Sequence, residues 1–130
     1  MEFRDNKAIY LQIAEFICER ILLREWAVGD KIPSVRELAV QLEVNPNTVM
    51  RTMEFLQQKD IIFTKRGMGY FVSEEAENKV KTFKKEDFLQ NDLPPFFRNI
   101  QLLEIDFEEL KERYNIYLSP EASVAQNNKK

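Results

Sequence analysis

The sequence predicts a mainly helical α+β fold: three helices, then a β-hairpin, then a shorter helical region. Three observations carry this. Apolar residues recur at helical spacing between Ala8 and Arg24, and two helix-start signatures follow at Pro33-Ser34 and Asn45-Pro46. Two β-branched and aromatic stretches then flank a glycine-bearing loop within residues 61–72.

In the first helix Ile9, Ile13, Phe16, Ile17 and Ile21 form one apolar stripe, and Gly29 is the turn residue that follows. The second helix opens on a capping box. The Ser34 hydroxyl takes an orphan amide, and Glu37, three residues on, reaches back. Val35, Leu38, Ala39 and Leu42 then face a core. A tight turn at Glu43-Val44 leads to the third helix, where Asn45 suits the N-cap and Pro46 the first helical position. Val49, Met53 and Leu56 point inward, while Asn47, Met50, Arg51 and Glu54 occupy the opposite face. This helix stops near Lys59-Asp60. Ile61–Thr64 and Tyr70–Val72 read as strands joined by Lys65-Arg66-Gly67-Met68-Gly69. Three helices followed by a hairpin wing is the order of a winged helix-turn-helix, assigned to residues 1–75.

Beyond Ser73 the polar stretch Glu74–Lys85 reads as a connector or a solvated helix. Helical segments follow at Lys85–Asn91, Phe96–Leu103 and from Asp106 to Tyr114, with Pro94-Pro95 expected to break or kink the path. Residues 76–118 form the helical C-terminal region, and 119–130 are expected to be a disordered tail. Phe83, Phe88, Phe96, Phe97, Ile100, Leu103 and Phe107 are more apolar surface than so small an appendage hides on itself. A second copy of the chain is the expected cover, so the region is assigned to dimerisation. It is too short to enclose a drug-sized pocket, and a small-molecule effector is not expected.

Composition narrows the function. The chain has no histidine and one cysteine, which removes the Ser-His-Asp triad, His-ligated zinc and an intrachain disulfide. No phosphate loop or paired carboxylates stand out, so an enzyme is disfavoured and neither cofactor nor metal is expected. No apolar stretch spans a bilayer and no signal-peptide core follows Met1, so a cytoplasmic protein without membrane contact is expected. The net charge of −3 comes from the C-terminal part, since residues 1–73 balance their charges. Locally, Val44–Met53 carries Arg51 and no acid, and Ile61–Ser73 carries Lys65 and Arg66 and no acid. These two segments can meet phosphates without repulsion.

A helix-turn-helix inserts a helix N-terminus and its outward face into the major groove. Asn47 and Thr48 put short polar groups at that end, and Arg51 puts a cation one turn later. Arg36, in the first turn of the second helix, can reach a phosphate beside Ser34. In the wing, Lys65 and Arg66 adjoin Gly67 and Gly69, which let backbone approach a sugar–phosphate edge. Each residue alone has a plainer reading. Arg51 suits a solvated helix surface, Lys65-Arg66 a charged turn, Asn45 a helix start. Order and spacing make the case for DNA, against the rival of a winged helix that binds protein.

Gly29-Asp30-Lys31-Ile32-Pro33-Ser34-Val35-Arg36-Glu37-Leu38-Ala39, Val44-Asn45-Pro46-Asn47-Thr48-Val49 and Arg66-Gly67-Met68-Gly69-Tyr70-Phe71-Val72 together resemble the GntR family of bacterial regulators. Ile9-Tyr10-Leu11-Gln12-Ile13 fits as well, so the resemblance spans nearly all of residues 7–73. The Asn-Pro-Asn-Thr-Val turn and the short C-terminal part are similar to the YtrA subfamily. The resemblance implies a homodimer on a double-stranded, two-fold symmetric operator, usually as a repressor and often of transporter genes. It places DNA contacts at Ser34, Arg36, Asn45, Asn47, Thr48, Arg51 and the wing around Arg66-Gly67. Three positions depart from the pattern. Many relatives have glycine at Asp60, some have a further arginine where this chain has Pro46 and Met50, and Pro94-Pro95 is unexpected in a helical C-terminal part.

Overall fold

The computed structural model describes residues 1–4 and 6–120. The chain divides into two compact units, Met1–Glu86 and the residues from Asp87 onward. The first unit holds α1 (Ile9–Leu22), α2 (Val35–Leu42), α3 (Pro46–Gln58), β1 (Ile62–Lys65), β2 (Gly69–Val72) and nearly all of α4 (Ala76–Asp87). This is the three-helix and hairpin order that the sequence predicts.

Its core is apolar and continuous. Ile13, Ile17 and Ile21 of α1 meet Leu38 and Leu42 of α2 and Val49, Met53 and Leu56 of α3 in one buried cluster. Ile61, Ile62 and Val72 bring the hairpin to the same cluster. One expected member does not join. Ile9, the first residue of α1, is exposed, because the stripe turns inward only from the second turn. Gln12 is buried instead. Its side-chain amide donates to the carbonyls of Arg4 and Lys7, and its carbonyl oxygen accepts the Arg4 amide at 2.8 Å. A buried amide with these bonds filled avoids the desolvation penalty and ties the N-terminal segment to α1.

The helix boundaries follow local chemistry. Ser34 and Glu37 form the capping box, with the Glu37 amide donating to Ser34 Oγ at 3.1 Å and the Ser34 amide to Glu37 Oε1 at 3.2 Å. Asn45 Oδ1 accepts the Asn47 amide at 2.8 Å, with Pro46 in the first turn of α3. α2 ends on Glu43 at φ +56°, and Asp60 after α3 takes φ +59°. Asp60 thus adopts the left-handed conformation that glycine would take more cheaply.

The two strands pair antiparallel, with Phe63 opposite Phe71 and Lys65 opposite Gly69. The segment after α1 adds to the edge of β2. Gly29 donates to the Val72 carbonyl, Val72 to that of Asp30, and Ile32 to that of Tyr70, each at 2.9–3.0 Å. The wing is therefore anchored to the loop that delivers α2. Ala76 and Val80 of α4 are fully buried in the core cluster. The stretch read as a connector or a solvated helix is a helix with one apolar edge, and the first compact unit runs past residue 75 to Glu86.

Cys18 lies fully buried on α1. Burial pushes its thiol up to about 12; Lys84 opposes the shift and Glu15 adds to it. The group contributes stability that is whole below the ordinary thiol range near 8.5 and is lost as pH rises through about 12.

In the second unit a π-helical turn, Phe88–Asp92, leads into α5 (Leu93–Leu102), and α6 spans Phe107–Leu118. Pro94 and Pro95 neither break nor end the helical path. They sit in the first turn of α5, and the Leu93 amide bonds the Phe88 carbonyl five residues back. The π turn directly before the prolines runs into α5, so the helical path is not broken where a break or kink was expected. Asp106 caps α6 by accepting the Glu108 amide at 3.3 Å. Of the tail expected over 119–130, residues 121–130 lie outside the described residues.

Among the described residues of this unit none is buried. Leu102, Leu103, Phe107 and Tyr117 are between 64% and 78% exposed. An open apolar groove of about 430 Å³ is lined by Phe96, Phe107, Leu110 and Tyr114, with Glu108 and Lys111 at its edge. Among the described residues no helix is long and apolar enough to cross a membrane, and no His/Cys/Asp/Glu cluster could hold a metal ion.

Candidate nucleic-acid interface

The N-terminus of α3 and its outward side form the centre of the site. Pro46, Asn47, Met50, Arg51 and Glu54 are exposed, while Val49, Thr52, Met53 and Leu56 fix the opposite side in the core. Thr48 is half-buried at the first turn. Asn45 spends its side-chain oxygen on the cap, so its amide nitrogen is what remains to donate outward. Ser34 likewise accepts within the capping box, and its hydroxyl proton can still be given to a phosphate. Arg36, exposed in the first turn of α2, stands two residues after Ser34 at the positive end of that helix.

Two tyrosines flank the outward face. Tyr10 of α1 lies beneath Arg51, whose guanidinium carbon is 3.9 Å from the ring centroid. On the other side the Tyr70 hydroxyl of β2 approaches Met50 Sδ at 3.6 Å. The neighbouring residues Met50 and Arg51 are thus supported from α1 and from the wing. Sequence reasoning missed both tyrosines. Their roles depend on residues 41 and 20 positions away, which no local periodicity reports.

Thr52 was missed for the same reason. Fully buried, its hydroxyl lies 2.8 Å from the Tyr10 carbonyl and 3.2 Å from that of Thr48, closing α3 against the start of α1.

At the wing, Lys65 sits over Phe71, 4.6 Å from the ring centroid, and 5.9 Å from that of Phe63. The two rings stack 5.8 Å apart across the strand pair. The ammonium is held on the wing's aromatic face, a different place from the tip where Arg66, Gly67 and Met68 are exposed. Gly67 takes φ +75° with open space where a Cβ would stand. At Gly69, φ +107°, a Cβ would meet Lys31 Cε at 3.3 Å. The left-handed backbone at both positions favours glycine and keeps the turn narrow. Met68, 56% exposed at the tip, was not among the residues the sequence suggested. Its place between two glycines is the feature that could have drawn it out.

Residues 9–72 match the family described as bacterial regulatory proteins of the gntR family. The chain is 40% identical over 111 residues to the uncharacterized HTH-type transcriptional regulator YhcF of Bacillus subtilis, covering 85% of this chain and 90% of that protein. It is 36% identical over 103 residues to the HTH-type transcriptional repressor YtrA of the same organism, covering 76% and 79%. A crystal structure of a putative GntR-family transcriptional regulator from Bacteroides thetaiotaomicron superimposes with a TM-score of 0.75 at 42% identity, over 88% of this chain and 99% of that one. The fold and these similarities agree: the chain belongs to the GntR family of transcriptional regulators and binds DNA.

Proposed function

We propose that this protein is a cytoplasmic repressor that binds a palindromic operator as a homodimer, with α3 in the major groove and the wing on the adjacent backbone. The observation that carries the reading is the exposed start of α3 and the wing, where Arg51 lies in Val44–Met53 and Lys65 and Arg66 in Ile61–Ser73, two stretches without a carboxylate. Asn47 and Thr48 read base edges from the first turn of α3, Arg51 contacts DNA one turn later, and Arg36 with Ser34 grips a phosphate. Asn45 adds an amide donor at the helix start. Repression follows the similarity to YtrA, and transporter genes are the target class that the family resemblance implies.

The dimer is supported by the second unit. Among its described residues no side chain is buried, and Phe96 and Phe97 on α5, Leu103 just after it and Phe107 at the start of α6 stand exposed. So short a segment gains too little from its own packing to order itself, and a second copy supplies the missing cover. Two recognition helices then meet half-sites about 34 Å apart.

Selection of bound duplexes from a random pool by the purified protein, at about 100–150 mM salt where non-specific binding is weak, tests the whole reading. A motif with two inverted half-sites is expected; enrichment of none by folded protein overturns it. Arg36→Ala gives a separate test. Losing one phosphate contact weakens binding to all sequences alike and lowers the salt slope by about one. A loss confined to one base position would assign Arg36 to base readout instead.

A further inference from the structure

Arg51 is held by an aromatic ring from another helix. Its guanidinium lies 3.9 Å from the centroid of the Tyr10 ring, close enough for stacking. Among the described residues it forms no ion pair with a carboxylate. The distinction matters for a DNA-binding surface. A salt bridge would fix the side chain but cancel its charge, whereas an aromatic face fixes it and leaves the full positive charge outward.

The ring is itself held. The Tyr10 carbonyl accepts the Thr52 hydroxyl at 2.8 Å, which joins the start of α1 to the middle of α3. Phe55 of α3 meets the Tyr10 ring edge-on, with centroids 6.0 Å apart and planes at 78°. Phe55 in turn packs edge-on against Phe83 of α4, at 5.4 Å and 69°. Edge-to-face pairs of this geometry restrict ring rotation, so the support under Arg51 is part of the packed unit. A free arginine loses side-chain entropy on reaching DNA; one already stacked loses less.

We propose that Tyr10 is a positioning residue for DNA readout: its ring presets the Arg51 guanidinium for the groove without neutralising it. This rests on Arg51 contacting DNA, as proposed above. The phenol oxygen has no part in the stack, so the ring alone carries the effect.

The experiment compares Tyr10→Phe, Tyr10→Leu, Arg51→Ala and the Tyr10→Leu/Arg51→Ala pair, on the selected operator and on single-base variants of it. Arg51 side-chain resonances in the DNA-free protein are measured in parallel. The wild-type resonances are expected to carry a ring-current shift that Tyr10→Phe keeps and Tyr10→Leu loses. Tyr10→Phe is expected to bind as wild type. Tyr10→Leu is expected to bind about 5-fold more weakly, with the loss at the same base step that Arg51→Ala affects. The double variant is expected to bind no worse than Arg51→Ala alone. A merely structural role would lower thermal stability and affect every base step evenly. That pattern, or the absence of a ring-current shift, overturns the proposal. If Arg51→Ala weakens binding and Tyr10→Leu does not, Tyr10 alone is overturned. If Arg51→Ala binds operator and scrambled DNA as wild type does, the assignment of Arg51 to DNA fails and the role of Tyr10 falls with it.

Discussion

A chain carrying Leu103→Glu and Phe107→Glu is expected to sediment as a monomer and to bind its operator at least 100-fold more weakly, roughly the lower end of what linking two half-site contacts contributes. The two side chains stand 69% and 64% exposed, so carboxylates there cost the isolated unit little. In a dimer they would place four uncompensated charges in an apolar contact, at several kcal/mol in total. The remaining monomer keeps its winged helix and reads a half-site, while the second contact is no longer held at millimolar effective concentration. Analytical ultracentrifugation with titration on full and half operators separates the two effects. Wild type that is itself a monomer at micromolar concentration, or a variant that stays dimeric, would remove the second unit from the assembly.

The other large effect lies in the core. Met53→Ala is expected to destabilise the first unit by about 3 kcal/mol, within the range for truncating a buried methionine. For a unit of this size the melting temperature should fall by about 12–24 °C. Met53 is fully buried on the inner side of α3, where α1 and α3 pack. Its loss leaves a cavity that the helices close only in part. Yet its side chain is fully buried and is not part of the outward face, so below the new melting temperature the selected DNA sequence should be unchanged. Calorimetry gives the first number, and repeating the selection in the cold gives the second. A drop of under about 2 °C would mean that the site collapses freely, as a loosely packed core would. A changed motif would mean that the core sets the tilt of α3.

What the sequence made legible was local chemistry. Ser34 with Glu37, Asn45 with Pro46 and Gly29 each act within a few residues, and each is where its spacing suggested. The hairpin was legible for the same reason, since strand residues on both sides of a glycine loop admit few other arrangements. What stayed hidden depends on distant partners. Gln12 reads as polar and is buried, because its bonds run to carbonyls of the N-terminal segment. Ile9 reads as core and is exposed, because on the first turn of α1 the inward place is taken by Gln12. Lys65 reads as part of the wing tip, but the Phe63–Phe71 stack, two residues back from the Lys65–Gly69 pair, holds its ammonium along the strand. Among the proposed contacts, identities near the start of α3 could be read in advance. The orientation of Arg51 could not, because Tyr10 that sets it belongs to another helix.

The buried thiol of Cys18 turns α1 into its own clock. Cys18 is fully buried, so a thiol reagent reaches the sulfur only when the helix opens, and the raised thiol pKa adds to the protection because the thiolate is the attacking species. At neutral pH its labelling rate therefore reports how often α1 leaves the core, with no probe added. Adding operator to the folded protein should slow that labelling by a factor that grows with operator concentration over Kd, wherever the opening of α1 abolishes DNA binding. One cysteine thus reports DNA affinity from the far side of the molecule's chemistry, as a change in the rate at which a colour develops.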